Sequence, residues 1–294
     1  MLRLPLTMSH RFSHRMMKGR RAFRAARARS VPMRLLIPNM VTVLGMCVGL
    51  TSIRMAIEGR FELALAAIGG AAVLDALDGR MARLLKASSR FGAELDSLSD
   101  FVCFGVAPAI VLYLWGFSSA SSLGWIMVLV FALAAALRLA RFNVALDDPA
   151  KPLWETGFFV GVPAPAGAIL LMLPLYMEGL GVPKSWLVLP PLLSLYAVII
   201  AALMVSRVRT FSGKLIGRRI ARDYIAPVIA LVVVLAATLV TYPYLSLTLG
   251  CLTYLALIPV GLRRYLELKE QYAVIETPAL PQGVKVASPV ERQP

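Results

Sequence analysis

The stretch that decides the fold begins as an apolar run and ends in acid. Phe61-Glu-Leu-Ala-Leu-Ala-Ala-Ile-Gly-Gly-Ala-Ala-Val-Leu74 continues directly into Asp75-Ala-Leu-Asp78-Gly79-Arg80-Met-Ala82-Arg83. After a short basic connection comes Gly92-Ala-Glu-Leu-Asp96-Ser-Leu-Ser-Asp100-Phe-Val-Cys-Phe-Gly105. A charged carboxylate at membrane depth costs roughly 2.5–3.5 kcal/mol. Four aspartates in a 26-residue window of such surroundings therefore need a compensating partner, and a bound cation is the simplest. The spacing agrees: at 3.6 residues per turn, Asp75, Asp78, Gly79, Ala82 and Arg83 share an arc of about 140° on one helix face. Gly92, Asp96 and Asp100 follow the i, i+4, i+8 row of the next helix. Helices joined by so short a connection lie antiparallel, which lets the two carboxylate pairs converge. All-oxygen ligation suits Mg²⁺, Mn²⁺ or Ca²⁺ rather than Zn²⁺. Small residues at 79, 82 and 92 leave room on the same faces. They permit close helix packing, and beside four acids and the cations Arg83 and Lys86 they also admit a phosphate-bearing ligand. A competing reading has the acids paired with Arg80, Arg83 and Arg90 in a solvated loop.

The rest of the 294-residue chain places this stretch in a membrane. It is 59% hydrophobic and 16% charged, with a mean hydropathy of +0.74, whereas a soluble domain carries about 25% charged residues. Apolar runs at Leu35–Ile57, Phe61–Leu85, Phe101–Phe117, Leu123–Phe142, Phe158–Met177, Trp186–Val205, Tyr224–Val240 and Leu245–Leu262 predict an all-α integral membrane protein with about eight transmembrane helices. Orientation follows from basic loops at residues 80–90, 138–151 and 207–222, which place both termini and the acidic cluster on the cytoplasmic side. Arg54 and Arg60, in an outer loop, run against this pattern.

Ten of the 31 Lys and Arg residues fall between Arg3 and Arg34, and no acid precedes Glu58. This arm predicts an interfacial helix on anionic lipids, with Phe12, Met16 and Phe23 toward the membrane. The apolar remainder argues against nucleic acid. His10 and His14 have no carboxylate or Cys nearby, and Cys47, Cys103 and Cys251 lie in apolar runs, so neither set reads as a metal site or a disulfide framework. The organisation expected is a basic arm over residues 1–33, a transmembrane domain over 34–265 and a polar, disordered tail over 266–294.

The string Asp75-x2-Asp78-Gly79-x2-Ala82-Arg83-x8-Gly92-x3-Asp96-x3-Asp100 resembles, without gap or substitution, the signature of the CDP-alcohol phosphotransferases. Asn39 and Thr42, Ser99-Asp100-Phe101 with Phe104-Gly105-Val106-Ala107-Pro108-Ala109, Arg138-Leu-Ala-Arg141-Phe-Asn143, Gly161-Val-Pro-Ala-Pro-Ala166, Leu203-Met-Val-Ser206 and Lys214 resemble its phosphatidylserine synthase branch. Val162 and Gly167 are small departures.

The resemblance implies transfer of a phosphatidyl group from CDP-diacylglycerol to L-serine with release of CMP, in a bacterial inner membrane. It implies two divalent ions, Mg²⁺ or Mn²⁺, on Asp75, Asp78, Asp96 and Asp100, with Asp100 also guiding the serine proton. A carboxylate beside two cations is a weak base, so guidance is a better description than abstraction. Asn39, Thr42, Asp75, Gly79, Ala82, Arg83, Ser89 and Gly92 are the implied CDP-diacylglycerol contacts. Arg138, Arg141, Asn143 and Lys214 are candidates for the serine carboxylate or a phosphate, because Arg matches both bidentately. The partners expected are CDP-diacylglycerol, serine, anionic membrane lipids and a second copy of the chain. The same chemistry on glycerol phosphate, inositol phosphate or choline is the alternative, and a cation transporter using the aspartates is a more distant one.

Overall fold

The computed structural model describes residues 33–87, 89–117, 122–146, 158–211 and 224–276. The basic arm before Met33, Lys214 and the tail after Glu276 lie outside them. The described residues form two compact units, one from 33–146 and 163–205, the other from 158–162 and 206–276.

The first unit opens with α1 (Met33–Ile57) and α2 (Phe61–Leu84), an antiparallel pair packed along most of their length. The turn between them uses Gly59 at φ +74°, a left-handed conformation that a residue without Cβ adopts at no steric cost. Arg54 and Arg60 both pair with Glu58 there, at 2.9 and 3.6 Å. The two bases that ran against the orientation pattern thus share one acid. At the other end, Lys86 takes φ +49°, Lys86 N–H donates to Arg83 O, and Ala87 N–H donates to Ala82 O. This Schellman pattern stops α2 and reverses the chain within four residues. Ser89 then accepts from Gly92 N–H at 3.0 Å and caps α3 (Arg90–Asp100).

The third expected span starts earlier than its apolar run suggests. α3 leads without a break into a π-helical segment (Phe101–Val106) and α4 (Ala107–Gly116). Ala107 N–H donates to Val102 O, five residues back, and Pro108 has no N–H to offer Phe104 O. This segment is central: Cys103, Phe104, Ala107, Val111, Leu112 and Trp115 are all buried. Close helix approach is made by glycines. A Cβ on Gly49 of α1 would fall 2.5 Å from Cys103 Sγ, and one on Gly105 would fall 2.9 Å from Ala135 Cβ of α5 (Ser122–Leu146).

The fifth expected span, Phe158–Met177, is not one helix. Gly161 at φ +76° and Pro163 delay the helix to Ala164. Pro174 then separates α6 (Ala164–Leu171) from α7 (Leu173–Gly179). A short α8 (Lys184–Leu187) and the 16-residue α9 (Pro190–Val205) complete the unit.

The second unit holds α10 (Ile225–Thr241), α11 (Pro243–Glu276) and a feature the all-α expectation missed. Strand β1 (Phe158–Val160) pairs antiparallel with β2 (Arg209–Phe211). Apart from these six residues and the connecting turns, the described fold is helical. α11 continues to Glu276, past the expected domain end at 265. Among the described residues four segments are long and apolar enough to cross a membrane: Leu36–Ile57, Arg90–Gly116, Ser122–Ala145 and Pro243–Leu268. Phe61–Leu84 has the length but carries Glu62, Asp75, Asp78, Arg80 and Arg83.

Packing at Gly49 gives a direct test. Gly49→Ala should cost about 1–3 kcal/mol by overpacking against Cys103 and lower the melting midpoint of detergent-solubilised protein. Gly69→Ala, where a Cβ meets nothing within 4 Å, should leave the midpoint unchanged.

Candidate active site

The acids converge as their spacing requires. α2 and α3 run antiparallel from the tight turn at 85–89, and carboxylate oxygens of Asp75, Asp78 and Asp96 all lie within 4.8 Å of one another. Asp100 ends α3, within hydrogen-bonding reach of Asp75 and close enough to Arg138 for their charges to interact. At an effective dielectric of about 20, two unit charges at such a separation repel by roughly 3–4 kcal/mol. The alternative in which basic neighbours absorb this charge fails. Among the described residues the ion pairs are Arg54–Glu58, Arg60–Glu58 and Arg264–Glu267, and Arg80, Arg83 and Arg90 pair with none of the four aspartates.

The donor set fits a divalent metal ion. Asp78 is 4% exposed; Thr42 stands within hydrogen-bonding reach of it, yet its buried Oδ2 has no hydrogen-bond partner among the described residues. A buried carboxylate oxygen with no hydrogen-bond partner, on a residue grouped with two other carboxylates, suits a ligand position. Metal–oxygen distances of about 2.1–2.4 Å bridge oxygens up to about 4.2–4.8 Å apart, and the three carboxylates lie within 4.8 Å of one another.

Beside the acids opens a cleft of about 180 Å³. α1 contributes Pro38, Asn39 and Thr42; α2 contributes Asp78, Gly79, Ala82 and Arg83. The turn adds Ala87 and Ser89, and α3 adds Gly92, Ala93 and Asp96. All the expected lipid-nucleotide contacts except Asp75 therefore line one cavity, and Asp75 stands next to it in the carboxylate group. The cleft's glycines differ in kind. A Cβ on Gly92 would fall 2.8 Å from Asn39 Oδ1 and 3.1 Å from Ser89 Oγ, whereas one on Gly79 meets only the Arg83 guanidinium, at 3.6 Å. Gly92 lets α1 and α3 touch; Gly79 keeps space open under Arg83.

The acceptor-side candidates separate. Arg138 on α5 is 8% exposed, lies 5.8 Å from the centre of the Phe142 ring and is close enough to Asp100 for their charges to interact. Arg141 reaches the end of α9 instead, donating to Val205 O at 2.7 Å and Met204 O at 3.3 Å. A cation is stabilising on the unsatisfied carbonyls of a helix C-terminus. Asn143 Nδ2 donates to Ser97 Oγ at 2.9 Å. Lys214 lies outside the described residues.

Sequence reasoning missed the polar ties that hold α3. Ser99 Oγ donates to Thr42 O at 3.3 Å, and Cys103 Sγ, one turn on, donates to Gly45 O at 3.5 Å. The signal was present in the Ser97-Leu-Ser99 alternation within an acidic helix, where a hydroxyl on each side can reach a different neighbour.

A carboxylate cluster able to hold a metal ion, beside a small-residue cleft lined by an arginine, is the arrangement that metal-assisted phosphoryl transfer requires. The chain belongs to the CDP-alcohol phosphatidyltransferase family, whose model matches residues 35–194. A second model of that kind, CDP-alcohol phosphatidyltransferase 2, matches residues 223–259. The chain is 41% identical over 231 residues to the CDP-diacylglycerol–serine O-phosphatidyltransferase of Mycobacterium leprae, covering 77% of this chain and 74% of that one. The protein of the same name from Mycobacterium bovis is 40% identical over 230 residues, 78% of each chain. The Methanocaldococcus jannaschii protein, also of that name, is 41% identical over 136 residues, 46% of this chain and 58% of its own.

The two glycines should respond oppositely to a methyl group. Gly92→Ala pushes on Asn39 and the Ser89 cap and should cost about 1–2 kcal/mol, whereas Gly79→Ala should melt like the wild type. Equal melting midpoints for the two variants would contradict the geometry.

Proposed function

We propose that this chain transfers the phosphatidyl group of CDP-diacylglycerol to the hydroxyl of L-serine, forming phosphatidylserine and CMP. The observation that carries the reading is the convergence of Asp75, Asp78 and Asp96, with Asp100 beside them, at the edge of a cleft shaped by Gly79, Ala82 and Arg83. Relatives of that name at about 40% identity over most of the chain support the choice of substrates.

Asp75, Asp78, Asp96 and Asp100 would hold Mg²⁺ or Mn²⁺. When bound, such ions neutralise the pyrophosphate and stabilise the attacking and leaving oxygens of an in-line displacement. Charge counting supports two of them. Four aspartates with Arg83 and Arg138 sum to −2, and a CDP-diacylglycerol pyrophosphate adds −2, which two divalent cations balance. Asn39, Thr42 and Ser89 offer polar contacts on the α1 and turn sides of the nucleotide pocket. Gly79 and Ala82 admit the ligand, and Arg83 reaches its phosphate.

Serine has an anionic end and a nucleophilic hydroxyl, and the site has a group for each. Arg138 would pair with the carboxylate, and Asp100, near it, would guide the hydroxyl proton as the serine oxygen bonds to the lipid-side phosphorus and CMP departs. Arg141 and, by its place in the basic 207–222 stretch of sequence, Lys214 are further candidate cations. In this reading eight helices cross a bacterial inner membrane, both termini and the active face are cytoplasmic, and anionic lipids and a second copy of the chain are partners. The distribution of basic loops and the basic arm support that orientation.

Purified protein given CDP-diacylglycerol and a panel of alcohols should release CMP only with serine. Chelation should stop release and Mg²⁺ or Mn²⁺ restore it. Release driven by glycerol phosphate or inositol phosphate but not serine would refute the acceptor assignment.

Asp100→Asn should abolish turnover while leaving CDP-diacylglycerol binding partly intact. Arg138→Lys keeps the charge but loses the planar fork, and should raise KM for serine by about tenfold, the cost of one charged hydrogen bond, with little change for CDP-diacylglycerol. Unchanged serine KM would remove Arg138 from the acceptor site.

A further inference from the structure

Helix α3, which carries Asp96 and Asp100, is the first 11 residues of the continuous Arg90–Gly116 segment, set off from the rest by the π-helical turn at Phe101–Val106, so polar ties to its neighbours help to fix its rotation. Asn143 Nδ2, in the last turn of α5, donates to Ser97 Oγ at 2.9 Å, and Ser97 Oγ donates to Ala93 O at 3.1 Å. Ser97 follows Asp96 directly. Three residues further along α3, the charge of Asp100 interacts with that of Arg138, which precedes Asn143 by five residues on α5. The Asn143–Ser97 hydrogen bond is the direct tie between α5 and α3, and the Asp100–Arg138 charge interaction lies beside it.

Side-chain tips lie about 5–6 Å from a helix axis, so a 10° rotation carries a carboxylate by about 1 Å, while metal–ligand distances tolerate about 0.2 Å. The α1 tie, Ser99 Oγ to Thr42 O, restrains one side of α3; the Asn143–Ser97 bond restrains the side facing α5. We propose that Asn143 is a positioning residue, which through Ser97 fixes the rotation and register of α3 so that Asp96 and Asp100 meet Asp75 and Asp78, and that it does not contact the acceptor alcohol. The proposal rests on reading the aspartates as metal ligands, and it is independent of which alcohol the enzyme uses.

The test is Mn²⁺ binding to the purified full chain without lipid or alcohol, read from the electron paramagnetic resonance signal of free Mn²⁺. Asn143→Ala and Ser97→Ala should each weaken binding by about tenfold. The double variant should bind no worse than either single one, because both remove the same bond. Ser97→Thr, which keeps the accepting oxygen, should stay within about twofold. Wild-type binding by Ser97→Ala, or additive losses in the double variant, would overturn the proposal, as would an Asn143→Ala enzyme with intact Mn²⁺ binding and a raised KM for serine. A wild-type chain that binds no Mn²⁺ would overturn the metal reading and the positioning role with it.

Discussion

The first unit is organised round one electrostatic constraint: carboxylates held within 4.8 Å of one another repel by several kcal/mol per pair unless a cation joins them. Such an arrangement persists only if the backbone gives the acids no way to separate. The turn between α2 and α3 supplies part of that rigidity, since a Schellman stop at Lys86 and a serine cap at Ser89 leave almost no free chain between the helices. The polar ties from α1 and α5 supply the rest, and each uses a hydroxyl or amide rather than a further charge. More cations at these positions would compete with a metal ion for the acids.

Small residues serve this constraint in two ways that share one sequence appearance. Gly49, Gly92 and Gly105 are needed because another helix occupies the place of their Cβ. Gly79 has ordinary clearance, so its smallness serves the cleft and not the packing. The signature therefore mixes structural and ligand-facing positions at neighbouring points, and only the distances to surrounding atoms separate them.

Much of this was legible in the sequence. The first four apolar runs correspond to helices, and the 100° periodicity placed four aspartates on facing surfaces because the α-helical repeat fixes where side chains point. What escaped was tertiary. Hydropathy counts apolar residues without regard to backbone, so it read Phe158–Met177 as one span although Gly161, Pro163 and Pro174 divide it. The β1–β2 pair is too short for alternation to register. Arg138, Arg141 and Asn143 looked equivalent as a basic cluster at a helix end. In the fold one interacts by charge with Asp100, one closes the C-terminus of α9 and one holds Ser97, because five residues of helix turn them toward different neighbours.

The π-helical segment links these observations. In a continuous α-helix the face bearing Gly92, Asp96 and Asp100 would continue through Phe104 and Pro108. An i→i+5 turn adds a residue, which displaces the following faces by about 100°. It starts at Phe101, immediately after the last acid, and lies where Pro108 cannot donate to the preceding turn. Beyond that point Cys103 packs against Gly49 and Gly105 against Ala135, with no charged residue between Asp100 and Gly116. The rotation lets one chain segment present acids to α2 at one end and an apolar, glycine-mediated surface to α1 and α5 along the remainder. The charged chemistry is thereby confined to one end of the helix, where a phosphate and a water-soluble alcohol can reach it, while the rest of the segment stays compatible with the membrane interior.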